Sequence, residues 1–229
     1  MARVIEPLSM MGALIDSYES KPPLSITGNQ KLSAINYTLP VASAQIKSCL
    51  LLAGLYAEGE TCIVENNTTR DHTERMLRGF GYLVNTSKGQ ISLMGGDELY
   101  ACDIEVPSDI SSAAFFIVAA SIAKEADITL SAVNINPTRT GILDILALMG
   151  AKITLTDERV VAGELVADIR VCSAELRGIN IPQELVPLSI DEFPVIFIAA
   201  SCATGETLLT GAKELRVKES DRIQVMADG

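Results

Sequence analysis

The 229 residues, 48% of them hydrophobic, suffice for one large folded domain or two modest ones with substantial cores. Eighteen Lys and Arg against 29 Asp and Glu give a formal charge of -11. That balance argues against a nucleic-acid backbone or an anionic membrane surface as the main partner, yet a few local cations could still hold a small anion. Five cysteines in mostly apolar runs, with no Cys-x-x-Cys pair, read as reduced core residues of a cytosolic protein, and one histidine, His72, disfavours a His-rich metal site. The longest apolar runs, around 115–123 and 194–203, are too short to span a membrane, and the N-terminal segment lacks the pattern of a signal peptide.

Along the chain, an apolar helix closes at Gly12, followed by strands at 24–27 and 37–39. After Pro40 comes a nearly all-apolar helix over 43–56, a turn at Glu58-Gly59, a strand at 61–65, a more polar helix closing at Gly81, and a strand at 90–93. The series then restarts. A strand at 103–106 and Pro107 precede an apolar helix over 111–123, a strand at 128–131, a helix closing at Gly150, and strands at 152–156 and 168–171. A third series opens with a strand at 178–181, Pro187, an apolar helix over 191–203 and a strand at 208–210, and the chain stops in what reads as another helix start at Arg222.

Gly12, Gly81 and Gly150 are evenly spaced, each where a helix would end in a left-handed cap. The predicted unit is βαβαββ, with one buried helix type and one nearer solvent. Both chain ends fall inside such units, which predicts an internal fragment of a longer protein. Residues 136–141, with Pro137 and Gly141, form either an ordinary loop or an interdomain hinge between a partial first domain, 1–135, and a partial second domain, 142–229.

Three polar clusters interrupt the apolar background. Ser43-Ala44-Gln45 opens a helix, where Ser43 caps and free N–H groups suit a phosphate or carboxylate; Lys47, one turn on, either is solvated or adds positive charge to that site. Arg70 lies just before a helix start that Thr69 or Asp71 would cap, either gripping an oxyanion or paired with Asp71 or Glu74. Asp191-Glu192 precedes the third apolar helix, and Lys218-Glu219-Ser220-Asp221-Arg222 follows it. Asp191, Gln45 and Ser112 stand at one common interval before Gly205, Gly59 and Ala126 respectively, so equivalent helix starts carry different polar residues.

Five segments carry a resemblance: PVASAQIKSCLLLAGL (40–55), TTRDHTERML (68–77), NINPTRTGILDIL (134–146), SIDEFPVIFIAA (189–200) and ELRVKESDR (214–222). They are similar to the enolpyruvyl transferases, and among these to the 3-phosphoshikimate 1-carboxyvinyltransferases of the shikimate pathway, which lead to chorismate and the aromatic amino acids. The resemblance implies an α/β fold of repeated βαβαββ units in two domains facing an interdomain cleft, both incomplete here. It also implies transfer of the enolpyruvyl group of phosphoenolpyruvate to the 5-hydroxyl of shikimate 3-phosphate with release of phosphate, without metal or organic cofactor, in a cytoplasmic and monomeric full-length enzyme. Carried over position by position, Ser43, Ala44, Gln45 and Arg70 would hold shikimate 3-phosphate. Asp191 would contact the attacking hydroxyl and accept its proton, Lys218 would bridge the substrates, Glu219 would protonate the methylene carbon, and Arg222 would bind phosphoenolpyruvate.

The family also uses a Lys-Ser pair and several arginines that match nothing in this chain. Little turnover is therefore expected of the chain alone. Two other readings stand beside this one: a noncatalytic anion-binding fragment, and the sister enzyme acting on UDP-N-acetylglucosamine, whose reactive-cysteine segment none of the five cysteines matches.

Overall fold

The three evenly spaced glycines each close a helix in the computed structural model, which describes residues 1–218 and 220–229. Gly12, Gly81 and Gly150 have φ of 100, 79 and 95°, the left-handed region that a Cβ disfavours. The hydrogen bonds recur as well: Ala13 N–H donates to Leu8 O, Tyr82 N–H to Leu77 O and Ala151 N–H to Leu146 O, each at 2.9 to 3.0 Å.

The chain divides into two compact units, Met1–Asp103 and Ile104–Gly229. In the first, α1 (Ala2–Met10) leads into an antiparallel pair, β1 (Leu14–Ser17) and β2 (Leu24–Thr27). Then come β3 (Leu32–Ser33), β4 (Asn36–Thr38), α2 (Ala44–Gly54), β5 (Ala57–Glu58), β6 (Glu60–Val64), α3 (His72–Gly79), β7 (Asn85–Ser87) and β8 (Gln90–Met94). β3 and β5 make a short parallel pair, and the main sheet runs β4-β6-β8-β7. β4 and β6 are parallel, joined by the crossover helix α2; β8 is antiparallel to both neighbours. Residues 36–94 thus complete one βαβαββ unit. Its core joins Ile46, Leu50 and Leu51 of α2 to Ile63, Ile91 and Leu93 of the sheet and Leu77 of α3.

The second unit repeats the plan. Ser108 bridges Val133 in parallel, followed by α4 (Ile110–Ile122), β9 (Asp127–Asn134), α5 (Gly141–Leu148), β10 (Lys152–Val161) and β11 (Glu164–Cys172), with strand order β10-β11-β9. A third repeat opens with parallel bridges Arg177–Thr204 and Asn180–Leu208 on either side of α6 (Phe193–Ser201), then α7 (Arg222–Asp228). Ile117 of α4, Ile145 of α5, Ile169 of β11 and Ile196 of α6 meet in one core.

Four sequence expectations change. The units part at 103/104, not at 136–141, because α4 buries its face against α6, β9 and β11 and so carries 104–135 into the second unit. Residues 136–141 are a locked turn between β9 and α5: buried Asn136 accepts from Thr138 N–H (2.9 Å) and Oγ1 (2.7 Å) and donates to Glu164 (3.0 Å). The segments 103–106, 178–181 and 208–210 are not strands; pairing at or beside them is limited to isolated bridges, at Ser108, Asn180 and Leu208. The match of Gln45 in the second repeat is Ser111, not Ser112. Both helices begin after a capping residue, Ser43 or Asp109, and Gln45 and Ser111 each come two places later.

Candidate functional site

The predicted residues fall into two groups, one in each unit. In the first, Ser43 caps α2, its Oγ accepting from Ile46 N–H at 3.4 Å. The first-turn N–H groups at Ala44 and Gln45 have no carbonyl partner within the helix, which makes that end suited to an anion. Gln45 is exposed, and Ser43 and Ala44 are half-buried.

Lys47 resolves the alternatives left open by its sequence position: it is neither solvated nor pointed at solvent-borne anions. Its side chain is 1% exposed, and Nζ lies 2.7 Å from Glu74 Oε1, 3.2 Å from Glu65 Oε2 and 3.4 Å from the Thr69 carbonyl oxygen. Glu65 Oε2 also accepts from Thr69 N–H (3.2 Å) and Oγ1 (2.8 Å). One cation therefore ties α2, the 65–70 turn and α3 together, with Ser48 and Thr73 hydroxyls adding a 2.6 Å bond between the helices. Arg70, half-buried, is the next residue after the clamped Thr69. The expected caps of α3 are used otherwise: Thr69 bonds Glu65, and Asp71 makes no side-chain cap bond but grips Arg75 at 2.9 Å.

In the second unit, Asp191, Lys218 and Arg222 come together. Arg222 Nη1 donates to Asp191 Oδ1 at 3.1 Å and to the Ile190 carbonyl at 3.3 Å, while Lys218 Nζ is 3.8 Å from Asp191 Oδ1 and 3.3 Å from Glu214 Oε1. All three side chains keep partial exposure, between 17 and 26%, so a ligand reaches them. Asp221 caps α7, accepting from Gln224 N–H at 3.0 Å. That bond, with Arg216 2.9 Å away, holds its carboxyl below the ordinary carboxylate value. Glu219 lies outside the described residues.

Beside this group stands a set that sequence reasoning did not single out. Arg139 reaches Asp109 at 3.0 Å and donates to Ser111, and Ser111 donates to Glu192, a buried acid beside Asp191. Burial alone would raise the Asp109 carboxyl, but the Ser112 N–H and the Arg139 charge outweigh it and hold the group below its ordinary value. The signal was present: Arg139 follows Arg70 by the same interval that separates Gly150 from Gly81, so it occupies the same place in the next repeat. No comparable signal marked Glu65 and Glu74 as partners of Lys47.

A family model described as EPSP synthase (3-phosphoshikimate 1-carboxyvinyltransferase) matches residues 1–229. The chain belongs to the EPSP synthase family. It is 70% identical to the 3-phosphoshikimate 1-carboxyvinyltransferase of Vesicomyosocius okutanii and 62% identical to that of Hydrogenovibrio crunogenus, in each case over 100% of this chain and 53% of the relative. The chain thus spans about half the length of the curated relatives it matches. Among solved structures, an EPSP synthase from Acinetobacter baumannii superposes with a TM-score of 0.92 at 60% identity, over 100% of this chain and 52% of that one. The enolpyruvyl transferase NikO from Streptomyces tendae is similar in fold, with a TM-score of 0.67 at 14% identity over 90% of this chain and 50% of its own. Among the described residues no helix is long and apolar enough to cross a membrane.

Proposed function

We propose that this chain supplies part of the active site of a 3-phosphoshikimate 1-carboxyvinyltransferase, which transfers the enolpyruvyl group of phosphoenolpyruvate to the 5-hydroxyl of shikimate 3-phosphate. The observation that carries the reading is the meeting of Asp191, Lys218 and Arg222, one carboxylate and two cations from the starts of α6 and α7, within an EPSP synthase family chain.

In this reading the α2 N-terminus, with Ser43, Ala44 and Gln45, and the Arg70 guanidinium hold shikimate 3-phosphate through its anionic groups. Arg222 binds phosphoenolpyruvate and in doing so exchanges the Asp191 carboxylate for the substrate anion, which frees Asp191 for the 5-hydroxyl. Glu219 gives a proton to the methylene carbon of phosphoenolpyruvate, leaving the adjacent carbon electrophilic. The 5-hydroxyl oxygen then attacks that carbon and its proton passes to Asp191, with Lys218 neutralising charge on both substrates. The new methyl group then returns a proton to Glu219 while phosphate departs with the proton held on Asp191, which restores the double bond and both carboxylate groups to their starting states. Proton transfer falls to the carboxylates and Lys218, whereas Arg222, always charged, stabilises anions without giving up its own proton.

Calorimetric titration of the chain with shikimate 3-phosphate, followed by phosphoenolpyruvate, tests the reading. Saturable binding of shikimate 3-phosphate that is lost in Gln45→Ala is expected. A folded chain that gives no saturable heat with shikimate 3-phosphate overturns the assignment of the α2 and Arg70 groups to that substrate.

A further inference from the structure

The buried cation of α2 has no part in the mechanism proposed above. Lys47 sits one turn into the helix whose first residues are Ser43, Ala44 and Gln45, and its side chain points inward. Burying an ammonium among apolar side chains is costly unless every proton on it is matched. Here three acceptors surround it: Glu74 from α3, Glu65 from the end of β6 and the carbonyl oxygen of Thr69. Glu65 closes the ring by taking both the N–H and the hydroxyl of Thr69. The cluster therefore fixes the backbone of Thr69 relative to the first turn of α2, and Arg70 is attached directly to that backbone.

We propose that Lys47 is a positioning residue that sets Arg70 at the correct distance from the α2 N-terminus to grip one anion jointly with it. The proposal rests on the assignment of those groups to shikimate 3-phosphate. An apolar residue at position 47 would fill much of the same space, but it would leave Glu65 and Glu74 buried without their cation and remove the link between α2 and the 65–70 turn. The contribution of Lys47 to binding accordingly passes through Arg70.

The decisive experiment is a double-mutant cycle on the chain, with Lys47→Met, Arg70→Ala and the pair, read by calorimetry with shikimate 3-phosphate. Lys47→Met alone should weaken binding by about tenfold or more, the scale of one charge-assisted hydrogen bond. Added to Arg70→Ala it should cost nothing further. Equal losses in both backgrounds overturn the proposal, since a merely structural effect does not depend on Arg70. Glu65→Gln, which weakens the Thr69 anchor but keeps Lys47 paired with Glu74, serves the same cycle if Lys47→Met does not fold. Amide hydrogen exchange without ligand separates this proposal from the function it rests on. Thr69 and Arg70 should lose protection in Lys47→Met or Glu65→Gln while Leu50 and Leu51 keep theirs. Unchanged protection at Thr69 and Arg70 overturns the positioning role, whereas absence of shikimate 3-phosphate binding by the unmutated chain overturns only the substrate assignment.

Discussion

Gly95→Ala isolates one close approach on which the seating of α2 depends. Gly95 follows β8, and its N–H donates to Gly59 O at 3.0 Å while the next N–H, from Gly96, donates to Leu55 O at 2.9 Å. A Cβ at position 95 would overlap the carbonyl oxygen of Ala57 and lie 2.6 Å from that of Gly54, both backbone atoms at the C-terminal end of α2 and the turn beyond it. The φ of Gly95 is not left-handed, so the cost is steric rather than conformational. Relieving the overlap moves the β8 end away from α2 and breaks at least one of the two hydrogen bonds. Overpacking of this kind costs about 1–3 kcal/mol and a lost internal hydrogen bond about 1 kcal/mol, so a loss of about 3 kcal/mol is expected. At roughly 2–4 °C per kcal/mol, melting followed by circular dichroism should drop by about 6 °C or more. Gly28→Ala is the control: no atom lies within 4 Å of its added Cβ and no positive φ is involved, so its melting should hold or rise by up to about 4 °C. Coincident melting curves for the two variants would refute the claim that the β8 end is pressed against α2.

Asp191→Asn should change melting by no more than about 4 °C, because a partly exposed ion pair contributes about 0–1 kcal/mol, while weakening shikimate 3-phosphate binding by about tenfold in calorimetry. The Asp109 carboxyl is held below its ordinary value in the folded chain, so its contribution to stability is complete above the unfolded value of about 3.9 and is lost as pH falls from there through the folded value. Asp109→Asn should therefore flatten the fall of denaturant midpoint with pH below about 4, and an unaltered slope would contradict the Arg139 and Ser112 contacts. Thiol titration with a chromogenic disulfide should modify exposed Cys102 and Cys202 first; Cys49, whose thiol burial pushes up, and buried Cys62 should lag, as peptide mapping would establish.

The repeated plan was legible because its signals are local. A glycine after an amphipathic helix, a proline before an apolar one and short β-rich runs each reflect a constraint felt over a short stretch of chain, and the even spacing of Gly12, Gly81 and Gly150 turned them into a repeat. The family resemblance brought Asp191, Lys218 and Arg222 to notice together, and in the fold both cations lie near the Asp191 carboxylate. What stayed hidden depends on contacts far apart in sequence. Lys47 lies between Ile46 and Ser48, which give no hint of Glu65 and Glu74, both far along the chain, and a lysine in that position reads equally as solvated. The unit boundary was misplaced because Pro137 and Gly141 resemble a linker locally, while the burial of Asn136 and the packing of α4 against α6 are tertiary facts. The one-place slip from Ser111 to Ser112 arose from counting back from the turn. Glu125 takes the left-handed conformation in the second repeat, immediately before the Ala126 that spacing had aligned with Gly59.

Two adjacent stretches that share one chain path face a problem of mistaken identity while folding, since α2 and α4 are both largely apolar helices at the same place in the repeat. The charged cluster distinguishes them. In the second repeat the places of Lys47, Glu65 and Glu74 are taken by Ala113, Asn134 and Leu143. Exchanging the helices would strand two buried glutamates without their lysine in one repeat and press that lysine against Leu143 in the other. A buried charge left unpaired costs several kcal/mol, comparable to a large share of a domain's net stability. Such a penalty would disfavour the exchanged arrangement, so that Lys47, Glu65 and Glu74, set in an otherwise oily layer, would serve as an address label that returns α2 to its own sheet.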